Sequence, residues 1–131
     1  MRTLIDHADR LGVRLDAEAV ERFRTYSNLL LAANQRFNLT SVTDPDEVEL
    51  RLFADSLSLL PHVPDGASRL LDIGSGGGLP GLALAIVRPD LAVTLLDATA
   101  KKVRFLAETA DALGLDNVTT LQGRAEEVAR D

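Results

Sequence analysis

Residues 72–81 read Asp-Ile-Gly-Ser-Gly-Gly-Gly-Leu-Pro-Gly, five glycines in ten positions between two apolar runs. Glycine loses more conformational freedom on ordering than any other residue, so so many in one loop imply something for it to hold. A glycine loop feeding a helix exposes backbone N–H groups and suits an anionic or adenosine-bearing ligand. Three such patterns differ in residue type. A Walker phosphate loop needs Gly-Lys-Ser/Thr, which does not follow here. A dinucleotide fingerprint uses Gly74 and Gly76 but expects glycine at 79, which is Leu79. The S-adenosylmethionine pattern, acid-x-Gly-x-Gly-x-Gly, is met by Asp72, Gly74, Gly76 and Gly78 without mismatch. The acid discriminates: Asp72 repels a pyrophosphate but not the ammonium and sulfonium of S-adenosylmethionine. The plain alternative is a tight strand-to-helix turn that binds nothing, and five glycines exceed what that requires.

Two later places could complete such a site. Asp97 closes the run Thr-Leu-Leu-Asp, where a carboxylate can accept both ribose hydroxyls in bonds of about 1.5–3 kcal/mol each. Its competing role is a cap on the helix that follows. "GRAEE" (123–127) follows a third apolar run, and backbone groups of Ala125 and Glu126 suit an adenine. The competing role there is a polar loop opening a short helix.

These residues need a common scaffold, and the chain supplies a pattern for one. "PHVPDGAS" (61–68) interrupts the periodicity with two prolines, a glycine and an aspartate. Before it everything reads as helix. Residues 16–37 put Val20, Phe23, Ser27, Leu30, Leu31 and Phe37 near one face. Asp44, Pro45 and Glu47 form a capping box that opens a helix carrying Val48, Leu52, Leu57, Leu59 and Leu60 and stopping at Pro61. After residue 68, apolar runs at 69–73, 92–96 and 118–121 alternate with helical stretches at 80–87 and 100–113. Thr99 is the expected cap of the second stretch and Gly114 its left-handed end. The predicted fold is α/β: an N-terminal helical cap (1–66), then the first βαβαβ half of a Rossmann-like parallel sheet (67–131). Ligands of such sheets sit beyond the carboxyl ends of the strands, where all three candidate loops fall.

Composition sets outer limits. The chain has 131 residues, 46% apolar and 26% charged, enough to bury roughly two-thirds of its unfolded surface. It has no cysteine, which excludes disulfides, thiolate metal sites and a cysteine nucleophile. No apolar run approaches the roughly 20 residues of a membrane span, and the amphipathic start, with Asp6 and Asp9, is not expected to be a cleavable leader. A cytoplasmic location is the expectation. Net charge is −6, divided −4 over residues 1–66 and −2 over 67–131, so total charge offers nucleic acid no support. Arg36 and Asn38, with Lys101, Lys102 and Arg104, could still form a local basic rim for RNA. The competing reading of 101–104 is the solvated face of an amphipathic helix. His7 and His62 are expected at the surface.

"RLLDIGSGGGLPGLALAIVRPDLAVTLLDATAKKVRFL", preceded by "NLTSVTD" and "FADSLSLLP" and followed by "GRAEE", resembles the bacterial 16S ribosomal RNA guanine-N7 methyltransferases, also called glucose-inhibited division protein B. The likeness runs from about residue 26 to 131. It implies S-adenosylmethionine as cofactor, 16S ribosomal RNA or the small ribosomal subunit as partner, no membrane and no metal, and methylation of N7 of guanine 527 in the 530 loop. Carried over, Gly74 and Leu79 touch the methionine end of the cofactor. Asp97, Ala98 and Thr99 lie at the ribose, and Ala125 and Glu126 at the adenine. The family pattern has His where this chain has Leu52, so no role for that His transfers. It also continues with further strands, so the chain is expected to correspond to the N-terminal two-thirds of the enzyme. Its first strand is then expected as an exposed apolar edge, with activity of the chain alone in doubt.

Guanine N7 carries an in-plane lone pair and no proton, so attack on a sulfonium methyl needs no general base, and positioning can supply about 7–11 kcal/mol. No residue is assigned as catalytic. Three other classes stay open: a small-molecule methyltransferase, a non-catalytic S-adenosylmethionine-binding module, and a nicotinamide dehydrogenase, the last disfavoured by Asp72 and Leu79.

Overall fold

The computed structural model describes residues 1–128; the last three residues of the expected 67–131 unit lie outside them. The chain runs α1 (Arg2–Arg10), α2 (Ala17–Asn34), α3 (Pro45–Glu47), a π-helix (Val48–Ala54), α4 (Asp55–Leu57), a 3-10 turn (Leu60–His62), β1 (Arg69–Ile73), α5 (Gly81–Val87), β2 (Ala92–Asp97), α6 (Ala100–Ala112), β3 (Val118–Gln122) and α7 (Ala125–Val128). The three strands form one parallel sheet in the order β1-β2-β3, with Asp72 opposite Leu95 and Asp97 opposite Gln122. Among the described residues no helix is long and apolar enough to cross a membrane.

α5 explains much of the packing. Six of its seven residues, Gly81 to Ile86, are buried, because it sits between the sheet and the N-terminal helices. Phe23, Tyr26 and Phe53 stack beside it, with Phe53 5.0 Å from each of the other two ring centroids. A fully buried aromatic of this kind contributes about 1.5–3 kcal/mol. One contiguous core joins these helical residues to Val93 and Leu95 of β2 and to Phe105 and Leu106 of α6. Asn117 fastens the far end: its side-chain N–H group donates to Ala85 O, Arg88 O and Leu91 O, closing the turn after α5.

Several helical expectations change in detail. α2 stops at Asn34 rather than 37, because the Asn34 side-chain oxygen accepts from Leu39 N and Thr40 N at 2.8 and 2.9 Å and turns the chain. Phe37 therefore leaves the helix and meets Phe105 edge-on, with centroids 6.5 Å apart. Val20 and Leu31 are only half-buried. Asp44 accepts from Asp46 N at 2.8 Å, while Glu47 pairs with Arg51 at 3.1 Å rather than with the cap. π-winding then rephases the helix, so that Phe53 reaches the core, Leu52 is half-buried and Leu59 is 43% exposed. Ser56 Oγ donates to Leu52 O at 2.7 Å along this rewound stretch. α4 ends at Leu57, short of the predicted stop at Pro61, and Pro61 itself lies inside the 3-10 turn. His7 is half-buried and 2.8 Å from Ser58 Oγ, contrary to the surface expectation, whereas His62 is exposed.

The strands and later helices follow the reading closely. Gly114 has φ +66° after α6. β1 is an edge strand, with Leu71 49% and Ile73 57% exposed on the sheet face opposite α5.

Candidate functional site at the strand ends

The three candidate loops leave the same end of the sheet. The glycine loop is bound into β2 first: Gly74 N and Ser75 N both donate to Leu96 O, at 2.8 and 3.1 Å. Ser75 Oγ donates back to Asp72 O at 2.9 Å, and Gly78 N to Ser75 O at 2.7 Å. Gly74, Gly76 and Gly78 all have positive φ, of +73°, +53° and +99°. Their surroundings differ. A Cβ at Gly74 would meet nothing within 4 Å, and one at Gly76 only the Gly74 carbonyl at 3.9 Å, so the loop is open above these two. A Cβ at Gly78 would lie 2.5 Å from Leu82 Cδ1 and 2.7 Å from the Tyr26 hydroxyl, so glycine there is a packing requirement.

Two carboxylates shape this loop. Asp72 Oδ2 accepts from Gly81 N at 2.9 Å, anchoring the first turn of α5. Burial pushes the Asp72 carboxyl above its ordinary range, and the Gly81 N–H opposes that shift. A Cβ at Gly81 would collide with Leu95 Cδ2 and approach Asp72 Oδ2, so this close passage of α5 over β1 and β2 depends on glycine. Asp97 is 7% exposed. Its Oδ2 accepts from Gly76 N at 3.0 Å and its Oδ1 from Thr99 N at 2.9 Å. One side chain thus ties the β1 loop to the β2 loop. Thr99 is the N-cap residue of α6 as expected, but its side chain makes no capping bond; Asp97 instead holds the Thr99 N–H just ahead of the helix. A carboxylate offers about four acceptor positions, so with two used Asp97 still has capacity for two hydroxyl donors.

The third loop is joined to the second through Gly123 N, which donates to Asp97 O at 3.0 Å. Ala125 is half-buried and Glu126 exposed at the start of α7; Ala98 and Thr99 are exposed and Leu79 half-buried. Asp72, Gly74, Gly76, Gly78, Leu79, Asp97, Ala98 and Thr99 therefore belong to the first two loops or the strand ends bearing them, and Ala125 and Glu126 to the first turn of α7, just past the third loop. Of the basic set, Arg36, Lys101 and Arg104 line one cleft with Phe37, whereas Asn38 is exposed and not part of its wall. Leu52 lines a shallow hollow with Leu79 and Pro80.

Sequence reasoning missed Tyr26. Its hydroxyl, fully buried, donates to Gly77 O at 2.6 Å and so connects α2 to the glycine loop. Burial pushes this phenol well above its usual range, and the charge of Asp72 adds to the effect. The signal was available: Tyr26 falls between Phe23 and Leu30 on the apolar stripe, and it is the single tyrosine of the chain.

With this geometry in view, comparison with known proteins is direct. The family model described as rRNA small subunit methyltransferase G matches residues 19–131. A ribosomal RNA small subunit methyltransferase G of Sorangium cellulosum is 52% identical over 122 residues, 92% of this chain and 51% of that protein. Its counterpart in Pseudomonas entomophila is 47% identical over 92% of this chain and 56% of its own length. That in Methylobacillus flagellatus is 48% identical over 90% and 57%. The chain thus spans about half the length of the curated relatives it matches, less than the two-thirds expected. A matched segment of this extent, carrying the glycine loop, Asp97 and the third loop, establishes that the chain belongs to the rRNA small subunit methyltransferase G family.

Proposed function

We propose that this chain binds S-adenosylmethionine across the ends of β1, β2 and β3 and serves methylation of N7 of guanine 527 in 16S ribosomal RNA. The observation that carries the reading is Asp97, buried at the end of β2, joined to both neighbouring loops and left with acceptor capacity. In this reading its carboxylate accepts the ribose hydroxyls. The open backbone above Gly74 and Gly76 takes the methionine end beside Leu79, with Gly78 fixing the turn below. Ala98 and Thr99 flank the ribose, and backbone groups of Ala125 and Glu126 meet the adenine. Asp72 acts at one remove: it anchors α5, and its negative charge near the loop favours a cationic ligand over a pyrophosphate. When bound, S-adenosylmethionine supplies a methyl group on a cationic sulfur. The residues of the chain then bind and orient; N7 of guanine needs no proton removed, so they are assigned no general base.

The experiment is calorimetric titration of the chain with S-adenosylmethionine and, separately, with NAD, using Asp97→Ala as the comparison. Expected is binding of S-adenosylmethionine alone, weakened at least tenfold in the variant, about 1.4 kcal/mol and within the worth of one charge-assisted bond. Binding of NAD in preference would overturn the assignment. Methyl transfer is then assayed on a 16S fragment containing the 530 loop, with position 527 changed from guanine to adenine as the comparison.

A further inference from the structure

Beside the strand-end loops, the chain after α2 and the first turns of α6 enclose a cleft of about 410 Å³ lined by Arg36, Phe37, Lys101, Arg104, Phe105 and Glu108. Its position follows from the site. Lys101 lies two residues past Thr99, and the same post-α2 segment carries Leu39, which stands against Gly77 of the glycine loop. Phe37 and Phe105 meet edge to face, and the Lys101 ammonium rests 5.9 Å from the Phe37 ring centre, which holds that charge at the cleft. Arg36, Lys101 and Arg104 are exposed, and among the described residues none has a carboxylate oxygen within 4.0 Å. Three unpaired cations around an aromatic wall are unexpected on a chain of net charge −6.

We infer that this cleft holds the phosphodiester backbone of a single-stranded stretch of the RNA substrate, next to the nucleotide presented to the strand-end site. The inference rests on the RNA-methyltransferase reading. Unpaired cations suit successive phosphates, and the aromatic wall suits a base or ribose beside them. Glu108 opposes this on the rim, so removing its charge should tighten binding.

The test measures anisotropy of a labelled 16S fragment spanning the 530 loop, titrated with the chain at several potassium chloride concentrations. Lys101→Ala/Arg104→Ala removes two phosphate contacts. The slope of log K against log salt is expected to become shallower by about 1.4, with binding about 25-fold weaker at 0.1 M. Glu108→Gln is expected to bind more tightly. Arg10→Ala/Arg14→Ala, which removes two exposed cations from the α1 region, is expected to leave the slope unchanged. An unchanged slope in the cleft variant, or an equal change in the α1 variant, overturns the cleft and leaves the functional reading standing. Displacement of the fragment by AMP also overturns it, in favour of a mononucleotide site. Binding of S-adenosylmethionine with none of RNA overturns both the cleft and the RNA substrate, while the cofactor assignment survives.

Discussion

Replacing Tyr26 with phenylalanine isolates the link between the helical layer and the glycine loop. The substitution deletes one oxygen, the donor to Gly77 O at 2.6 Å, and keeps the ring that stacks 5.0 Å from Phe53. A net hydrogen bond contributes about 0.5–1.5 kcal/mol, and leaving a buried partner unsatisfied raises the loss to about 1–3 kcal/mol. Gly77 is half-buried, so water recovers part of that, and a loss of about 1–2 kcal/mol is expected. Urea denaturation should show a lower midpoint with an unchanged slope, since little exposed area changes. Affinity for S-adenosylmethionine should fall by up to about tenfold, because a looser loop must be ordered on binding. Wild-type Tyr26 offers an independent check. As the single tyrosine, it alone gives the phenolate absorbance change near 295 nm, and its ionisation should begin only well above the ordinary value of 10.0. Because the folded value is raised, the folded state keeps its proton where the unfolded state releases it, so stability falls as pH rises past 10. Titration at the ordinary value, or a phenylalanine variant within about 0.3 kcal/mol of wild type, would refute the anchoring role.

Glycines of the loop should separate by cause. Gly78→Ala meets both a left-handed backbone and the crowding by Leu82 and Tyr26, and should cost about 2–4 kcal/mol in urea denaturation. Gly74→Ala, with open space around it, should cost only the backbone strain of about 1–2 kcal/mol; equal losses would refute the distinction. Asp72 has a raised folded value, so it binds its proton more tightly folded than unfolded and stability falls as pH rises from the ordinary value of 3.8 through the folded value. Asp72→Asn should flatten that part of the pH–stability curve, measured by thermal melts from pH 3 upward, and an unaltered curve would refute the assignment.

The Tyr26–Gly77 and Asp97–Gly76 bonds hold the glycine loop from opposite sides, one from the helical layer and one from the sheet. A seven-residue helix, α5, completes the support from below through Asp72 and Gly81. The helices before residue 60 therefore do more than cover the sheet; they fix the backbone of the loop.

The sequence alone determined the alternation of strand and helix after residue 68, because apolar runs of four or five residues alternating with helical stretches and broken by turn residues have few other solutions. It also determined the glycine loop and the three strand-end positions, since parallel strands with helical crossovers put their following loops at one edge. Local signals carried less in the N-terminal half. π-winding from Val48 to Ala54 shifted the apolar phase, so Phe53 entered the core where Leu59 was expected, and no residue-by-residue propensity contains that shift. The end of α2 depended on the Asn34 side chain bonding five and six residues onward, and the approach of Phe37 to Phe105 followed from it. Asp97 was legible as a carboxylate at the end of a strand, but its bonds to Gly76 and Thr99 join residues 21 and 2 positions away in the chain. Tyr26 and Gly77 are 51 residues apart, and Arg36 and Lys101 lie on separate elements. Only tertiary packing decides which distant polar groups meet, because burial leaves each donor and acceptor to find whichever partner the fold brings within reach.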